Sequence, residues 1–125
     1  MMFDTDIFIW VQRGNQKAAG LIDRSRERYF SLYSYLELLQ TAKGRRQHDY
    51  ILDFLSTFGF IALPLTENIG HRALIYIETY SLSHGLRAGD AVIAATAAEN
   101  NMVLVSSNAK HFKPIRGLKL KVFTP

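Results

Sequence analysis

Apolar residues come in short runs along this chain, and each run closes on a residue at which a regular element stops. Phe3 to Trp10 reads as a buried strand running into a turn or helix, and Tyr29 to Tyr33 as a second strand. Ser34 to Ala42 reads as a helix ending before Gly44. Ile51, Phe54, Leu55 and Phe58 share one helical face that stops at Gly59, a residue able to take the left-handed C-terminal cap. Phe60 to Leu65 is strand-like and closed by Pro64. A longer helix is expected from Glu67 to His84, with Ala73, Leu74, Ile77 and Tyr80 or Ser81 as its inner stripe and Gly85 as its stop. Asp90 to Asn100 reads as a small-residue helix, Met102 to Ser106 as a short strand and Leu118 to Phe123 as a last strand. Arg13 to Gln16 and Ala42 to Gln47 remain as loops. Strands alternating with helices imply a mostly parallel sheet covered on both faces, so the expected class is α/β.

At 125 residues and 48% hydrophobic, the chain can fill one core and has little room for a second, so residues 1–125 are read as one domain. No apolar run approaches the roughly 18 residues that mark a membrane span, and no secretion-signal pattern opens the chain. A cytoplasmic location is expected. The absence of cysteine excludes disulfides, thiol nucleophiles and zinc–thiolate sites. Any metal must therefore sit on oxygen or imidazole ligands.

Four polar residues interrupt these apolar segments: Asp4, Glu37, Asp90 and Asn108. Ionised carboxylates in such settings are costly unless paired or metal-bound. In open α/β sheets the ligand crevice lies outside the carboxyl ends of the strands. Asp4 falls in the first such region, Asn108 follows the strand ending at Ser106, Asp90 opens the preceding helix, and Glu37 lies one turn into its own. Each acid also has an ordinary reading as a helix cap: Asp90 and Asp4 as N-cap residues, and Ser34 with Glu37 as a capping box. Gathered at one edge, however, they repel each other more than helix N-termini offset. Carboxylate oxygens suit Mg²⁺ or Mn²⁺, which complete their shells with water and phosphate and support phosphodiester hydrolysis. His48, His71, His84 and His111 contain no i, i+4 pair and no HExxH pattern, and each reads as a surface or cap residue.

Fifteen Lys and Arg against eleven Asp and Glu give a net charge of +4. Clusters occur at Arg24, Arg26 and Arg28, at Lys43, Arg45 and Arg46, and from Lys110 to Lys121. Arg87, Lys110 and Lys113 stand nearest in sequence to Asp90 and Asn108, which makes them the candidates for phosphate contacts with a polyanion bound across the acidic edge, while each cluster also reads as ordinary solvated surface. Aromatic residues on the helices from Ile51 to Phe58 and from Ile75 to Tyr80 are candidates for protein contacts or are simply core, the core reading fitting Phe54 and Phe58 better than Tyr76 and Tyr80.

The chain resembles a PIN domain of the VapC toxin type. The resemblance rests on Asp4-Thr5-Asp6 after an apolar strand, on Ser34 three residues before Glu37-Leu38, and on Asp90-Ala91 with Ile93-Ala94-Ala95. Val105-Ser106-Ser107-Asn108 follows with Phe112, and the match runs over essentially the whole chain. It implies a five-stranded parallel sheet between helices and divalent-metal-dependent endoribonuclease activity. It also implies Asp4, Glu37 and Asp90 as metal-binding acids, Asn108 at a fourth position that is often Asp, and Ser106 as a supporting hydroxyl. Thr5, Asp6 and Ser34 belong to the matching motifs and are read as supporting residues. A homodimer and a small antitoxin partner are further implications. Two departures stand out: Asn108 carries no charge, and His111 occupies a place where many relatives have an acid, which should weaken a second metal site.

Other readings predict different residues. A phosphoacceptor receiver domain would share the sheet and the late Lys113-Pro114 pair but needs an acid directly after a central strand; Asp53 lies instead in a helical stripe. A non-catalytic PIN scaffold predicts loss of a core acid, and all three are present. A PIN nuclease of RNA processing outside a toxin–antitoxin pair shares every site residue.

Overall fold

The computed structural model describes residues 1–125. Its elements are β1 (Met2–Phe3), α1 (Thr5–Gln12), α2 (Gln16–Arg24), β2 (Tyr29–Ser31), α3 (Leu32–Thr41), α4 (Arg45–Thr57), β3 (Ile61–Leu63), α5 (Glu67–His84), α6 (Ala88–Glu99), β4 (Leu104–Ser106), α7 (Ala109–Phe112) and β5 (Leu120–Val122). The strands pair in parallel in the order β3-β2-β1-β4-β5, giving the expected α/β class and five-stranded sheet. Strands β2 and β3 lie to one side of β1, and β4 and β5 to the other. The carboxyl ends of β1 and β4 are therefore neighbours at the topological switch point, where a parallel sheet opens a crevice.

Alternation along the strands sorts the core into two faces. Met2 and Leu104 join Ile69, Ala73 and Tyr76 of α5 and the alanines of α6 on one side. Phe3, Phe30 and Val105 join α1, α2, α3 and α4 on the other. The second face is aromatic: Phe8 lies 4.9 Å from Phe60 and 5.5 Å from Phe30 between ring centroids, and Phe3 meets Phe60 edge-on at 5.8 Å. Burying each such ring stabilises the fold by about 1.5–3 kcal/mol. The first face instead admits α6 closely, because Ala91, Ala94, Ala95 and Ala97 present only methyl groups. Gly89 carries this furthest: a Cβ there would fall 2.9 Å from the Tyr33 ring.

Several sequence expectations change. The strand expected from Phe3 ends at Phe3, because Asp4 takes extended backbone and its side chain accepts from Thr5 N–H, starting α1. The run Ile7-Phe8-Ile9-Trp10 is helical, with Ile7 and Phe8 buried. Helix α2 lies where the sequence pattern predicts no element; Asn15 caps it by accepting from Ala18 N–H at 2.9 Å, and Ala18, Leu21 and Ile22 form its short buried stripe. Helix α3 starts at Leu32 with Ser31 as cap, so Ser34 lies inside the helix and the capping-box reading of Ser34 and Glu37 fails. Asp90 is likewise not a cap: α6 begins at Ala88, with Arg87 at the cap position. Within the expected loop at 42–47, α4 already begins at Arg45. On α5, Leu74 faces solvent at 59% exposure, and Ile69 and Tyr76 complete the inner stripe. Tyr76 is therefore core rather than contact surface, while Leu74, Ile75 and Leu82 form the exposed apolar residues of that helix.

Candidate active site

Asp4 is the centre of the arrangement. It ends β1 at the switch point and is 5% exposed. Its Oδ1 accepts from Thr5 N–H at 2.7 Å and its Oδ2 accepts from Ser106 Oγ–H at 2.7 Å, so β4 reaches across to hold it. Burial, then the neighbouring Asp6 charge, pushes its carboxyl from the ordinary 3.8 up to about 8, with a smaller push from Asp90; the Ser106 and Thr5 hydrogen bonds pull the other way. Both oxygens accept hydrogen bonds, an arrangement built for the ionised form. The surroundings nevertheless penalise that charge, and a nearby cation would remove the conflict.

The other acids approach from three elements. Glu37 points from α3 toward Thr5, whose hydroxyl lies 2.7 Å from Glu37 Oε1 and 2.8 Å from Ser34 Oγ. With its single proton donated to the carboxylate, Thr5 accepts from Ser34. The residue beside Asp4 thus tethers Glu37. Asp6, one residue further into α1, accepts from Ser107 N–H at 2.9 Å and also from the Ser107 hydroxyl. It thereby anchors the turn after β4, where Trp10 Nε1–H adds a bond to Ser107 Oγ at 3.2 Å. Asp90 stands in the first turn of α6, with Oδ2 3.1 Å from His111 Nδ1.

Asn108 follows β4 as expected and occupies the cap position of α7, where its side chain makes no capping bond. Its backbone N–H donates to Ser106 Oγ at 2.9 Å. Ser106 is thus a two-way support, donating to Asp4 and accepting from Asn108. Arg87, Lys110 and Lys113 are exposed on the segments that carry Asp90 and Asn108. The residue pattern alone gives His111 only as a surface or cap residue and the resemblance puts it where many relatives have an acid; its place beside Asp90 comes from the fold, which brings α7 against the first turn of α6.

No three acidic or imidazole side chains close around a common point. Each carboxylate leans instead on its own donor: Asp4 on Ser106, Glu37 on Thr5 and Asp6 on Ser107. The donor set nonetheless suits a divalent ion: its carboxylate oxygens fit a hard ion, the nearby imidazole nitrogen fits a first-row transition ion, and no Lys or Arg side chain is paired with these acids.

A parallel α/β sheet with a buried carboxylate at its switch point, and further acids brought beside it by neighbouring helices, defines an acid-edged α/β domain. The PIN domain family model matches residues 1–118; the chain belongs to that family, whose members are nucleases. Among solved structures the chain is similar to a toxin–antitoxin complex from Klebsiella pneumoniae, at 27% identity over 94% of this chain and 93% of that one, with TM-score 0.78. It also shares its fold with VapBC2 from Rickettsia felis bound to a DNA fragment from their promoter, at 23% identity, 98% of each chain and TM-score 0.74. VapBC-1 from nontypeable Haemophilus influenzae is similar at 22% identity, 97% of this chain and 96% of that one, with TM-score 0.75. These neighbours agree with the VapC-type resemblance. None of the curated proteins compared with the chain matches it. No helix is long and apolar enough to cross a membrane.

Proposed function

We propose that the chain is a divalent-metal-dependent endoribonuclease and the toxin of a toxin–antitoxin pair. The observation that carries the nuclease reading is Asp4, a buried carboxylate held in hydrogen bonds meant for its ionised form and destabilised as a charge. Asp4, Glu37 and Asp90 would hold Mg²⁺ or Mn²⁺, with Asn108 at a neutral fourth position. When bound there, such an ion would supply positive charge able to acidify a water and offset charge developing on the phosphodiester.

The chain's own residues do the rest. Ser106 keeps Asp4 oriented, and Thr5 with Ser34 holds Glu37 on the same side of the sheet. Asp6 fixes the turn bearing Asn108 through Ser107. Arg87, Lys110 and Lys113, exposed on the segments that carry Asp90 and Asn108, would contact RNA phosphates and set the strand's register without reading bases. The toxin reading draws on the neighbours, several of which are toxin–antitoxin complexes, and it brings a small antitoxin and a homodimer as expected partners. Leu74, Ile75 and Leu82 are apolar surface available to protein contacts.

The test is cleavage of a structured RNA by purified protein. Cleavage is expected in Mg²⁺ or Mn²⁺ and not in EDTA, with Asp4→Asn losing at least about a hundredfold in rate, the scale of removing one electrostatic contributor to a transition state. Equal cleavage by Asp4→Asn would assign the activity to another site or to a contaminant.

A further inference from the structure

His111 stands at the acidic edge, where Asp90 Oδ2 lies 3.1 Å from its Nδ1. At that distance a ring N–H would ordinarily point at the carboxylate, yet the two groups are not aligned as a hydrogen bond. Nδ1 is also shut off from solvent and has no other partner. An unprotonated Nδ1 this close to a carboxylate oxygen, and pointing off the line between them, gains nothing from it, whereas a cation to that side, in reach of both, would satisfy the two at once. Adjacent ligands of an octahedral ion at ~2.1 Å stand ~3.0 Å apart, since the edge of the octahedron is about 1.4 times its radius. The observed separation matches that edge.

We infer that His111 is a nitrogen ligand sharing the divalent ion with Asp90, and that it shifts the site's preference from Mg²⁺ toward Mn²⁺. The inference rests on the proposed metal site and goes beyond it, because it gives a role to the residue standing where an acid was expected. Hard Mg²⁺ favours oxygen shells, whereas first-row transition ions accept imidazole. His111 also lies on the same short α7 whose cap position is Asn108, so the two residues this segment brings toward the acidic edge both lack a negative charge. A site so composed carries less negative charge than one with acids at both places, which further disfavours the ion that depends most on charge and oxygen.

Pulsed electron paramagnetic resonance on the full-length protein loaded with Mn²⁺ tests this directly. Wild type should show the ¹⁴N modulation of a directly bound imidazole, and His111→Gln should bind Mn²⁺ without it. In His111→Asp, which keeps a donor if the Gln variant folds poorly, the ratio of Mn²⁺ to Mg²⁺ affinity should fall about tenfold or more, the scale of losing a residue that supports a metal site. Bound Mn²⁺ without nitrogen modulation in wild type would overturn the inference and leave the acidic site standing, as would modulation that persists in His111→Gln. Failure of wild type to bind Mn²⁺ at all would overturn the proposed metal site as well.

Discussion

Phe3 and Asp4 are consecutive, both are almost completely buried, and they have opposite effects on the fold. Phe3 meets Phe60 edge-on within the aromatic face and stabilises the sheet by leaving water. Asp4 occupies the next position along the same strand end, where burial drives its carboxyl up to about 8. The pairing shows how a small α/β domain places a costly group: dense apolar packing holds the backbone on both sides of it, so the carboxylate cannot swing out to solvent. Stability is concentrated in the faces of the sheet and spent at its carboxyl edge.

Replacing Phe3 should break the stabilising half of this comparison. Phe3→Ala removes a fully buried ring and should cost about 3–5 kcal/mol in urea unfolding, a large part of the about 5–15 kcal/mol a domain of this kind holds. A loss below about 1 kcal/mol would mean that the aromatic face is not what holds β1 in place.

The pH dependence of the metal-free protein sharpens the other half. A carboxyl whose pKa is raised by folding binds its proton more tightly in the native state. Its contribution is therefore intact below the unfolded value of 3.8 and is lost as pH rises toward about 8. In chelator, stability should fall across that window by at most about 1.4 kcal/mol per pH unit from this group. Saturating Mn²⁺ should flatten the slope. Melting temperature measured against pH, with and without the ion, checks both; a slope unchanged by Mn²⁺ would detach the ion from Asp4.

Much of the edge was legible in the sequence, because Asp4, Glu37, Asp90 and Asn108 are polar residues breaking apolar segments of a recognisable strand and helix order. What could not be read is how these residues are held. Thr5 reaching Glu37 and Ser106 reaching Asp4 span 32 and 102 residues of chain, and no local pattern encodes such bonds. The capping-box spacing of Ser34 and Glu37 was real, but Ser31 took the cap and freed both side chains for the site. Helix α1 was hidden in a run that suits a strand equally well, and only the capping geometry of Asp4 distinguishes the two. Helix α2 offers just three core positions, too few for a strong periodic signal.

The smallest expected effect lies outside both regions, on the exposed cations. Two phosphate contacts, at about 0.7 each for single-stranded RNA, should disappear in a Lys110→Ala, Lys113→Ala double variant and lower the salt slope of binding by about 1.4. Filter-binding titrations at several salt concentrations measure it. An unaltered slope would move the RNA path to other basic residues, such as Lys43, Arg45 and Arg46.

The central claim is that the buried Asp4 charge is the cost of a divalent-ion site, and Asp4→Asn tests it in one pair of melting curves. The amide keeps the size of the side chain, and its oxygen and nitrogen can still bond Thr5 N–H and Ser106 Oγ. Without metal the variant should melt above wild type at pH 8, because the disfavoured charge is gone. With Mn²⁺ wild type should rise in melting temperature and the variant should not, since ligand binding stabilises only a folded state that retains the site. A variant that melts below wild type without metal, yet keeps the full Mn²⁺ shift, would contradict the account.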